Sequence, residues 1–362
     1  MESELKTEQR VVYWMREINK SDLNVVGKKC ANLGEMGNRG LPTPPGFAIS
    51  VVGYERFMKE TGVGQKINEY LQQNYGTETF KKAAEAEVAS KAVRKMIEDK
   101  PMPEDMEEEI IGAYSTLCKE IGRDDIEVAV RSSGAVSMPG QFDTYLYVRG
   151  ACEVIKHVIR CWGSTFTPRA IMFRAEKGLG TGIWPIGVAV IKMVNAKAAG
   201  IMFTLSPVTG DRSKISIEGN WGLGESVVSG RIEPDRFKVN KITLEIEEKR
   251  LGRKEEEFVY DSDKRIVEFR EVPPEQRREF CLTDEEIIRL VNLGKQAEKL
   301  FGGEPQDTEW AIDKDLPPEK NILLLQSRPE TIWAPKQKKG IPRTKSALDY
   351  ITSTLVEGKK LK

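Results

Sequence analysis

Residues 306–328 read QDTEWAIDKDLPPEKNILLLQSR and contain two short predicted strands joined by a polar connection with two prolines. Asp307 and Glu309 stand two apart in the first strand, and Gln326 and Arg328 stand two apart in the second. Because side chains alternate along a strand, each pair lies on one face, and the short connection allows the strands to be antiparallel neighbours. The stretch therefore predicts two carboxylates, an amide and a guanidinium on one surface.

Such a surface has two interpretations. The carboxylates of Asp307 and Glu309 can hold Mg²⁺ while nucleotide phosphates complete its coordination and Arg328 neutralises the remaining charge. Alternatively, the four side chains form the solvated face of a hairpin with a cross-strand pair between a glutamate and an arginine. From this stretch alone the solvated hairpin is slightly favoured.

Composition limits the classes of function. The 362 residues carry 56 Lys and Arg against 56 Asp and Glu, so no net charge attracts nucleic acid or an anionic membrane, and any anion site must be local. The five cysteines form no CxxC pair, and one histidine cannot complete a zinc site with them. The N-terminus is charged, and no apolar run reaches the length of a membrane span. These features predict a cytoplasmic protein with reduced thiols.

A first candidate for an anion site is VVGKKCANLGEM at residues 25–36, where Lys28 and Lys29 follow a glycine and precede a predicted helix start. A lysine at a helix N-terminus adds a point charge to backbone amides that already favour anions, so phosphate is a reasonable ligand. A solvated loop is the alternative, and it is favoured when this stretch is taken alone.

A second candidate is VAVRSSGAVSMPGQFDTYL at residues 128–146. Arg131 ends an apolar strand, and a loop of small residues beginning with Ser132 and Ser133 follows. An arginine fork beside unobstructed backbone N–H groups can grip a polyphosphate, and an ordinary surface turn has the same composition. The two interpretations are equally supported.

A third stretch, EGNWGLGESVVSG at residues 218–230, contains two glycines after a predicted strand. A tight turn is favoured there over a close approach of the backbone to a ligand.

The only histidine of the chain, His157, lies in the predicted helix ACEVIKHVIRCWG. Apolar residues recur there at helical spacing: Val154, Ile155, Val158, Ile159 and Trp162. At 100° per residue His157 lies about 130° from the centre of that apolar face. The spacing predicts a solvated helix residue and not a catalytic one.

Five ordered blocks together resemble a known family. They are VGKKCANLGEM, VAVRSSGAVSMPGQFDTY, GVAVIKMV followed by AGIMFT, NWGLGESVVSG with EPDRF, and QDTEWAI with LLLQSRPET. In this order, from about Val25 to Thr331, they are similar to the N-terminal nucleotide-binding half of the phosphoenolpyruvate synthase and pyruvate phosphate dikinase family. The resemblance implies an α/β (α+β) ATP-grasp fold, with two lobes, the nucleotide between them and a helical layer in the first lobe.

Together with changes in composition along the chain, this resemblance suggests that the chain has three parts. Residues 1–195 are expected to form the first lobe, including the helical segment 54–122, and residues 196–335 the second lobe. Residues 336–362 are expected to be a basic, proline-containing linker and a short terminal helix.

The resemblance also implies a set of site residues for ATP and Mg²⁺. The two magnesium carboxylates fall on Asp307 and Glu309. The inter-lobe hinge, whose backbone meets adenine, falls on Lys192, Met193 and Val194. The phosphate-binding set, of which the three cations are also the expected catalytic residues, falls on Lys29, Arg131, Ser132, Ser133, Gln326 and Arg328.

In this family, the β-phosphoryl group reaches a histidine of a separate swivelling domain through pyrophosphoryl transfer, and AMP and phosphate are released. His157 lacks the surroundings of that histidine, so the resemblance implies a free-standing ATP-binding subunit whose partner carries the histidine. The smaller subunit of phenylphosphate synthase, acting on phenol, has this organisation, and a split phosphoenolpyruvate synthase acting on pyruvate is the alternative. A nucleotide-sensing module without catalysis and a stand-alone kinase are further rivals.

Overall fold

The computed structural model describes residues 10–76, 80, 82–136, 140–180 and 182–333. The predicted linker and terminal helix at 336–362 lie outside this part of the chain. The described residues form ten α-helices and thirteen β-strands. The strands are β1 Val12–Trp14, β2 Gly46–Ile49, β3 Glu127–Ser133, β4 Thr144–Arg149, β5 Gly187–Lys192, β6 Ala196–Phe203, β7 Lys214–Trp221, β8 Asp235–Asn240, β9 Ile246–Arg250, β10 Glu256–Asp261, β11 Ile266–Glu271, β12 Gln306–Asp313 and β13 Ile322–Pro329.

The helices alternate with these strands and differ in length. They are α1 Leu23–Asn38, α2 Val51–Glu60, α3 Val63–Tyr75, α4 Ala83–Glu98, α5 Glu104–Ile121, α6 Ala151–Gly163, α7 Pro168–Glu176, α8 Glu225–Val228, α9 Pro274–Arg277 and α10 Asp284–Leu300. The mixed α/β class predicted from the sequence is confirmed.

The first sheet has the strand order β1-β2-β5-β3-β4, and every neighbouring pair is antiparallel. Helices α2 to α7 pack their apolar residues on this sheet in one core. Apolar residues at helical spacing predict one amphipathic helix here, and α5 buries four of them: Met106, Ile110, Tyr114 and Leu117. After the prolines that precede it, the sequence predicts a strand over Phe47–Val51. In the structure this strand, β2, ends at Ile49, because the Ser50 hydroxyl accepts from Gly53 N and caps α2.

The second sheet has the order β13-β12-β6-β7-β8-β9, again antiparallel throughout. Helix α10 covers it. Thr283 and the acidic residues after it are a helix start signal in the sequence, and in the structure Thr283 and Glu286 form a capping box in which each side chain accepts from the other's backbone amide. A second hydrophobic core contains buried residues of α1 and α10 together with residues of both sheets. The first sheet uses no strand after β5, and the second begins with β6.

The two remaining strands, β10 and β11, form an antiparallel hairpin of their own. Its attachment explains the glycine turn after β7. Gly222 has φ +72°, and a Cβ there would lie 2.5 Å from the Phe258 carbonyl oxygen. Leu223 N donates to the same oxygen over 2.8 Å. The tight-turn interpretation is therefore confirmed, since the glycine is needed for the close approach of β10.

Candidate functional site

The antiparallel pairing predicted for β12 and β13 is confirmed, with Asp307 opposite Arg328 and Glu309 opposite Gln326. Arg328 Nε donates to Asp307 Oδ2 over 2.8 Å, so a cross-strand ion pair does form, but with the aspartate. The Asp307 and Glu309 side chains are only 15% and 25% exposed. The solvated-hairpin interpretation is therefore wrong, because another part of the chain covers this face.

That covering part is the end of β3. Arg131 Nη2 lies 2.9 Å from Glu309 Oε2, although the two residues are 178 positions apart. The pair joins the first sheet to the second. The Arg131 Nε is buried, and no described residue accepts a hydrogen bond from it. An unmet buried donor costs roughly 1–3 kcal/mol, so this guanidinium suits an additional anionic acceptor such as a phosphate oxygen.

The lysine stretch lies against the same strand end. Gly27 has φ +78° and breaks α1, so that Lys28 and Lys29 stand at the start of its second part, as predicted. A Cβ on Gly27 would lie 1.8 Å from the Ser133 carbonyl oxygen. Lys28 N donates to the Gly134 carbonyl and Cys30 N to the Ser133 hydroxyl. Two amides of this helix start are thus used by the protein itself, which leaves the lysine side chains to meet an anion.

The Lys29 ammonium shares its environment with Arg131 and Glu309. Burial and the nearby Arg131 charge lower the pKa of Lys29 to about 8, and Glu309 opposes this shift. The residue remains largely cationic at neutral pH. A single cleft brings together residues from three predicted stretches, and its lining includes Lys28, Lys29, Asn32, Ser132, Gln326 and Arg328.

The two serines of the Arg131 loop use their hydroxyls within the protein. Ser132 Oγ donates to the Asp143 carbonyl over 3.1 Å, and Ser133 Oγ accepts from Cys30 N. Both residues are almost completely buried. Their hydroxyls therefore hold the loop in place, and only other atoms of these residues are left for a phosphate.

The two carboxylates differ in their electrostatics. Burial raises the pKa of Glu309, but the charges of Arg131, Lys29 and Arg328 outweigh it and leave that pKa below its usual value. For Asp307, burial raises the pKa, Arg328 offsets it only partly, and the net shift is upward.

A magnesium ion fits this pair of carboxylates. The described residues contain no cluster of three or more His, Cys, Asp or Glu side chains suited to a metal. Mg²⁺ commonly binds one or two carboxylates and completes its octahedron with water and substrate phosphates. Asp307 and Glu309 would hold the ion, and the arginines that now pair with them would then meet the phosphates.

The predicted hinge connects β5 to β6. Lys192 N donates to the Pro45 carbonyl and Met193 N to the Glu127 carbonyl, each over 2.9 Å. These two amides are therefore used within the protein, and the contact of the hinge backbone with adenine stays a prediction.

Beside the hinge lies a cleft of about 420 Å³, lined in part by Met193, Tyr147, Tyr260 and Asp315. Small buried side chains adjoin it in one apolar cluster, which includes Val194, Ala196, Ala199, Leu223, Ala311 and Leu323. The lining itself is largely polar, and it includes Arg123, Glu127, Lys192, Asn195 and Ser262. The Lys192 ammonium contacts the buried Asp313 carboxylate over 3.2 Å.

His157 is less exposed than predicted. Its side chain is 16% exposed, its Nδ1 lies 2.7 Å from the Glu153 carbonyl oxygen, and its ring meets Tyr145 edge to face at 4.8 Å. The apolar face of α6 is buried as predicted, but β4 also covers the flank that carries the histidine. Burial lowers the pKa of His157, and Arg160 adds to the shift.

An α/β protein with two antiparallel sheets, cations and carboxylates at facing strand ends and a cleft beside the β5–β6 connection has the architecture of an ATP-grasp nucleotide-binding protein. The chain belongs to the family described as pyruvate phosphate dikinase, AMP/ATP-binding domain, which matches residues 23–347. The resemblance seen in the five sequence blocks is confirmed.

Several curated proteins are similar to this chain over most of its length. The probable phosphoenolpyruvate synthase of Methanocaldococcus jannaschii is 42% identical over 89% of this chain and 27% of that protein. The probable phosphoenolpyruvate synthase of Staphylothermus marinus is 40% identical over 93% of this chain and 43% of that protein. The phosphoenolpyruvate synthase of Aeropyrum pernix is 39% identical over 91% of this chain and 43% of that protein. The chain thus spans between a quarter and a half of the length of these relatives. None of the described helices is long and apolar enough to cross a membrane.

Proposed function

We propose that the chain binds Mg·ATP between its two sheets and prepares the nucleotide for transfer of its β-phosphoryl group. Lys29, Arg131, Gln326 and Arg328 bind the phosphates, Asp307 and Glu309 hold Mg²⁺, and the hinge backbone at residues 192–194 meets the base. The observation that carries the proposal is Arg131, which bridges the two sheets to Glu309 while its Nε has no acceptor among the described residues.

The chemistry asked of these side chains is positioning and charge neutralisation. Mg²⁺, when bound, neutralises phosphate oxygens and orients them. Arg131 and Arg328 present planar, permanently charged donors to the remaining oxygens, and Lys29 adds a point charge. Phosphoryl transfer depends mainly on such contacts, since little covalent chemistry is required of the protein.

The acceptor of the β-phosphoryl group is proposed to be a histidine on a partner domain or subunit, reached by pyrophosphoryl transfer with release of AMP and phosphate. In support, His157 is the only histidine of this chain, and its Nδ1 is held by the Glu153 carbonyl within α6. The partial coverage of the relatives leaves room for such a domain. The lobes are proposed to divide at residues 195 and 196, and the setting to be cytoplasmic.

For the final acceptor, we propose pyruvate, since the relatives named above are phosphoenolpyruvate synthases. Phenol, the acceptor of a phenylphosphate synthase, is the second candidate and follows from the split-subunit organisation considered in the sequence. Assaying both acceptors in one reconstituted system distinguishes them, because only one product can accumulate with a specific partner.

Two measurements test the proposal. Calorimetry should show one ATP site per chain whose affinity requires Mg²⁺ and falls in Glu309→Gln. With ATP labelled at the β-phosphate, the chain alone should acquire no acid-labile label, and a histidine-bearing partner should acquire it only when the chain and Mg²⁺ are present. ATP binding without transfer to any partner would favour the sensing module, and absence of ATP binding would refute the site.

A further inference from the structure

Two tyrosines that the site assignment does not use connect the first sheet to the β10–β11 hairpin beside the hinge. The ring of Tyr147, on β4, stacks on the ring of Tyr260, on β10, with centroids 4.0 Å apart and planes inclined by 3°. Both residues line the cleft that also borders Lys192 and Met193. The stack is therefore a contact between the first sheet and the hairpin at the base end of the proposed nucleotide site.

The backbone of β4 is distorted at this contact. Val148 pairs with Val128 and Tyr145 with Val130, so Leu146 and Tyr147 together stand opposite one residue of β3. This is a β-bulge, which turns a side chain away from its regular direction. Tyr147 has φ +55°, a conformation that residues other than glycine seldom adopt. Such local strain persists only where surrounding contacts maintain it, and it often marks functional positions.

The partner ring lies on a separate arm of the molecule. The β10–β11 hairpin pairs with neither sheet along its length and meets the turn after β7 at a bridge between Gly222 and Phe258. Phe258 and Val267 of the hairpin pack on the apolar cluster that includes Val194. The hairpin thus covers the hinge cleft from the second sheet, and Tyr260 extends that cover to the first sheet.

We propose that Tyr147 and Tyr260 form an inter-sheet clasp that positions the lobes around the nucleoside and slows its release. The proposal rests on the proposed function, because it assumes that the nucleoside occupies the hinge cleft. With the rings stacked, the base is enclosed by the hinge, the β12–β13 connection and the two tyrosines. Separation of the rings opens the cleft, so the stack controls the dissociation rate of the nucleotide. Both tyrosines are positioning residues.

The test measures nucleotide release directly. The chain is loaded with N-methylanthraniloyl-ATP and Mg²⁺, unlabelled ATP is added in excess, and the fluorescence decay gives the dissociation rate. Loss of one stacked ring should raise that rate about tenfold in Tyr260→Ala, whereas Tyr260→Phe keeps an aromatic face and should stay within about twofold of wild type. Ile266→Ala, at an exposed position of the same hairpin, is the matched control and should leave the rate unchanged.

A double-mutant cycle separates the clasp from a merely structural role. If the rings act through each other, Tyr147→Ala combined with Tyr260→Ala should release the nucleotide no faster than either single variant. Additive effects, or a Tyr260→Ala rate equal to wild type, would overturn the clasp while nucleotide binding stands. A wild-type chain that binds neither nucleotide would instead refute the proposed function, and the clasp with it.

Discussion

At the scale of single residues, the ion pairs across the cleft decide how the site behaves. Glu309 is paired with Arg131 and Asp307 with Arg328, so both proposed magnesium ligands are already neutralised by cations of the protein. Phosphates offer the two arginines alternative partners and thereby release the carboxylates. Metal binding and nucleotide binding should therefore be coupled.

This exchange predicts an unusual effect of Arg131→Ala. Without nucleotide, the variant should bind Mn²⁺ roughly tenfold more tightly than wild type, since Glu309 loses a competing cation worth on the order of 1 kcal/mol. Its affinity for ATP should fall at the same time. Titration followed by electron paramagnetic resonance measures the free metal, and Arg149→Ala, which breaks an exposed pair with Asp125, is the control. A lower Mn²⁺ affinity in Arg131→Ala would contradict the exchange.

Lys29 predicts a pH dependence of nucleotide affinity. Its pKa of about 8 means that the free protein loses this positive charge as the pH rises through that value. The affinity for ATP should be nearly constant from pH 6 to 7 and decline above about pH 8, because the neutral amine attracts phosphate less. Lys29→Arg, if it still binds, should lose this decline, since guanidinium stays charged. Calorimetric titrations at several pH values measure it, and a decline of equal size in both proteins would assign the effect elsewhere.

At the scale of elements, the break in α1 and the end of β3 form one unit. Gly27 lets the Ser133 carbonyl approach the helix, and the next residues donate hydrogen bonds to the Arg131 loop. The spacing of residues predicted each element, but the contact between them joins positions about a hundred residues apart. No local pattern in the sequence contains that information.

The close approach at Gly27 predicts that replacing this glycine has the opposite effect from replacing the exposed Gly112 of α5. Gly27→Ala forces a Cβ against the Ser133 carbonyl and strains a positive φ, so it should destabilise the fold by about 3 kcal/mol or more and weaken ATP binding. Gly112→Ala lies in α5 with nothing within 4 Å of the new Cβ and should stabilise it by about 0.5–1 kcal/mol. Urea unfolding measures both. Equal effects at the two sites would argue against the close approach at Gly27.

The largely buried His157 of α6 predicts that the free energy of unfolding depends on pH. Because the pKa of His157 is lowered in the folded chain, the unfolded chain binds more protons as the pH falls below about 6.5. The free energy of unfolding should therefore decrease between pH 7.5 and 5.5, and His157→Gln should reduce this decrease. His157→Ala should cost roughly 1 kcal/mol through lost packing on Tyr145. Neither variant should alter phosphoryl transfer to a partner, and label found on His157 would contradict the assignment.

At the scale of the whole molecule, the proposed site lies where the two sheets meet. The Arg131 pair, the second core and the tyrosine stack each contain residues from both sides of the hinge. A ligand bound there contacts both sheets at once, so its binding energy adds to the stability of the joined state.

This arrangement predicts a cooperative response to nucleotide. At a hundredfold excess over its Kd, Mg·ATP should raise the free energy of unfolding by about 2.7 kcal/mol. Mg²⁺ alone should have little effect, because arginines occupy the carboxylates in the free protein. Scanning calorimetry should show the whole transition shifting, and Glu309→Gln should lose most of the shift. Stabilisation of only part of the transition would mean that the ligand contacts one lobe alone.

Local patterns in the sequence determined most elements of this protein. The alternation in QDTEWAI and LLLQSR predicted β12 and β13 as antiparallel neighbours, helical spacing predicted α5 and α6, and the start signal at Thr283 predicted α10. Such patterns reflect neighbours within one strand pair or one helix face, which are close in sequence. The family resemblance then indicated the site residues as a set.

Tertiary structure alone decided which groups meet. It paired Arg131 with Glu309, turned the Ser132 and Ser133 hydroxyls inward, used the amides of Lys192 and Met193 within the protein, and half-buried His157 beneath Tyr145. Each of these outcomes depends on contacts between elements distant in sequence. Hydrophobic burial brings such elements together and local spacing does not encode their contacts, so only the folded chain shows which polar groups remain available to a ligand.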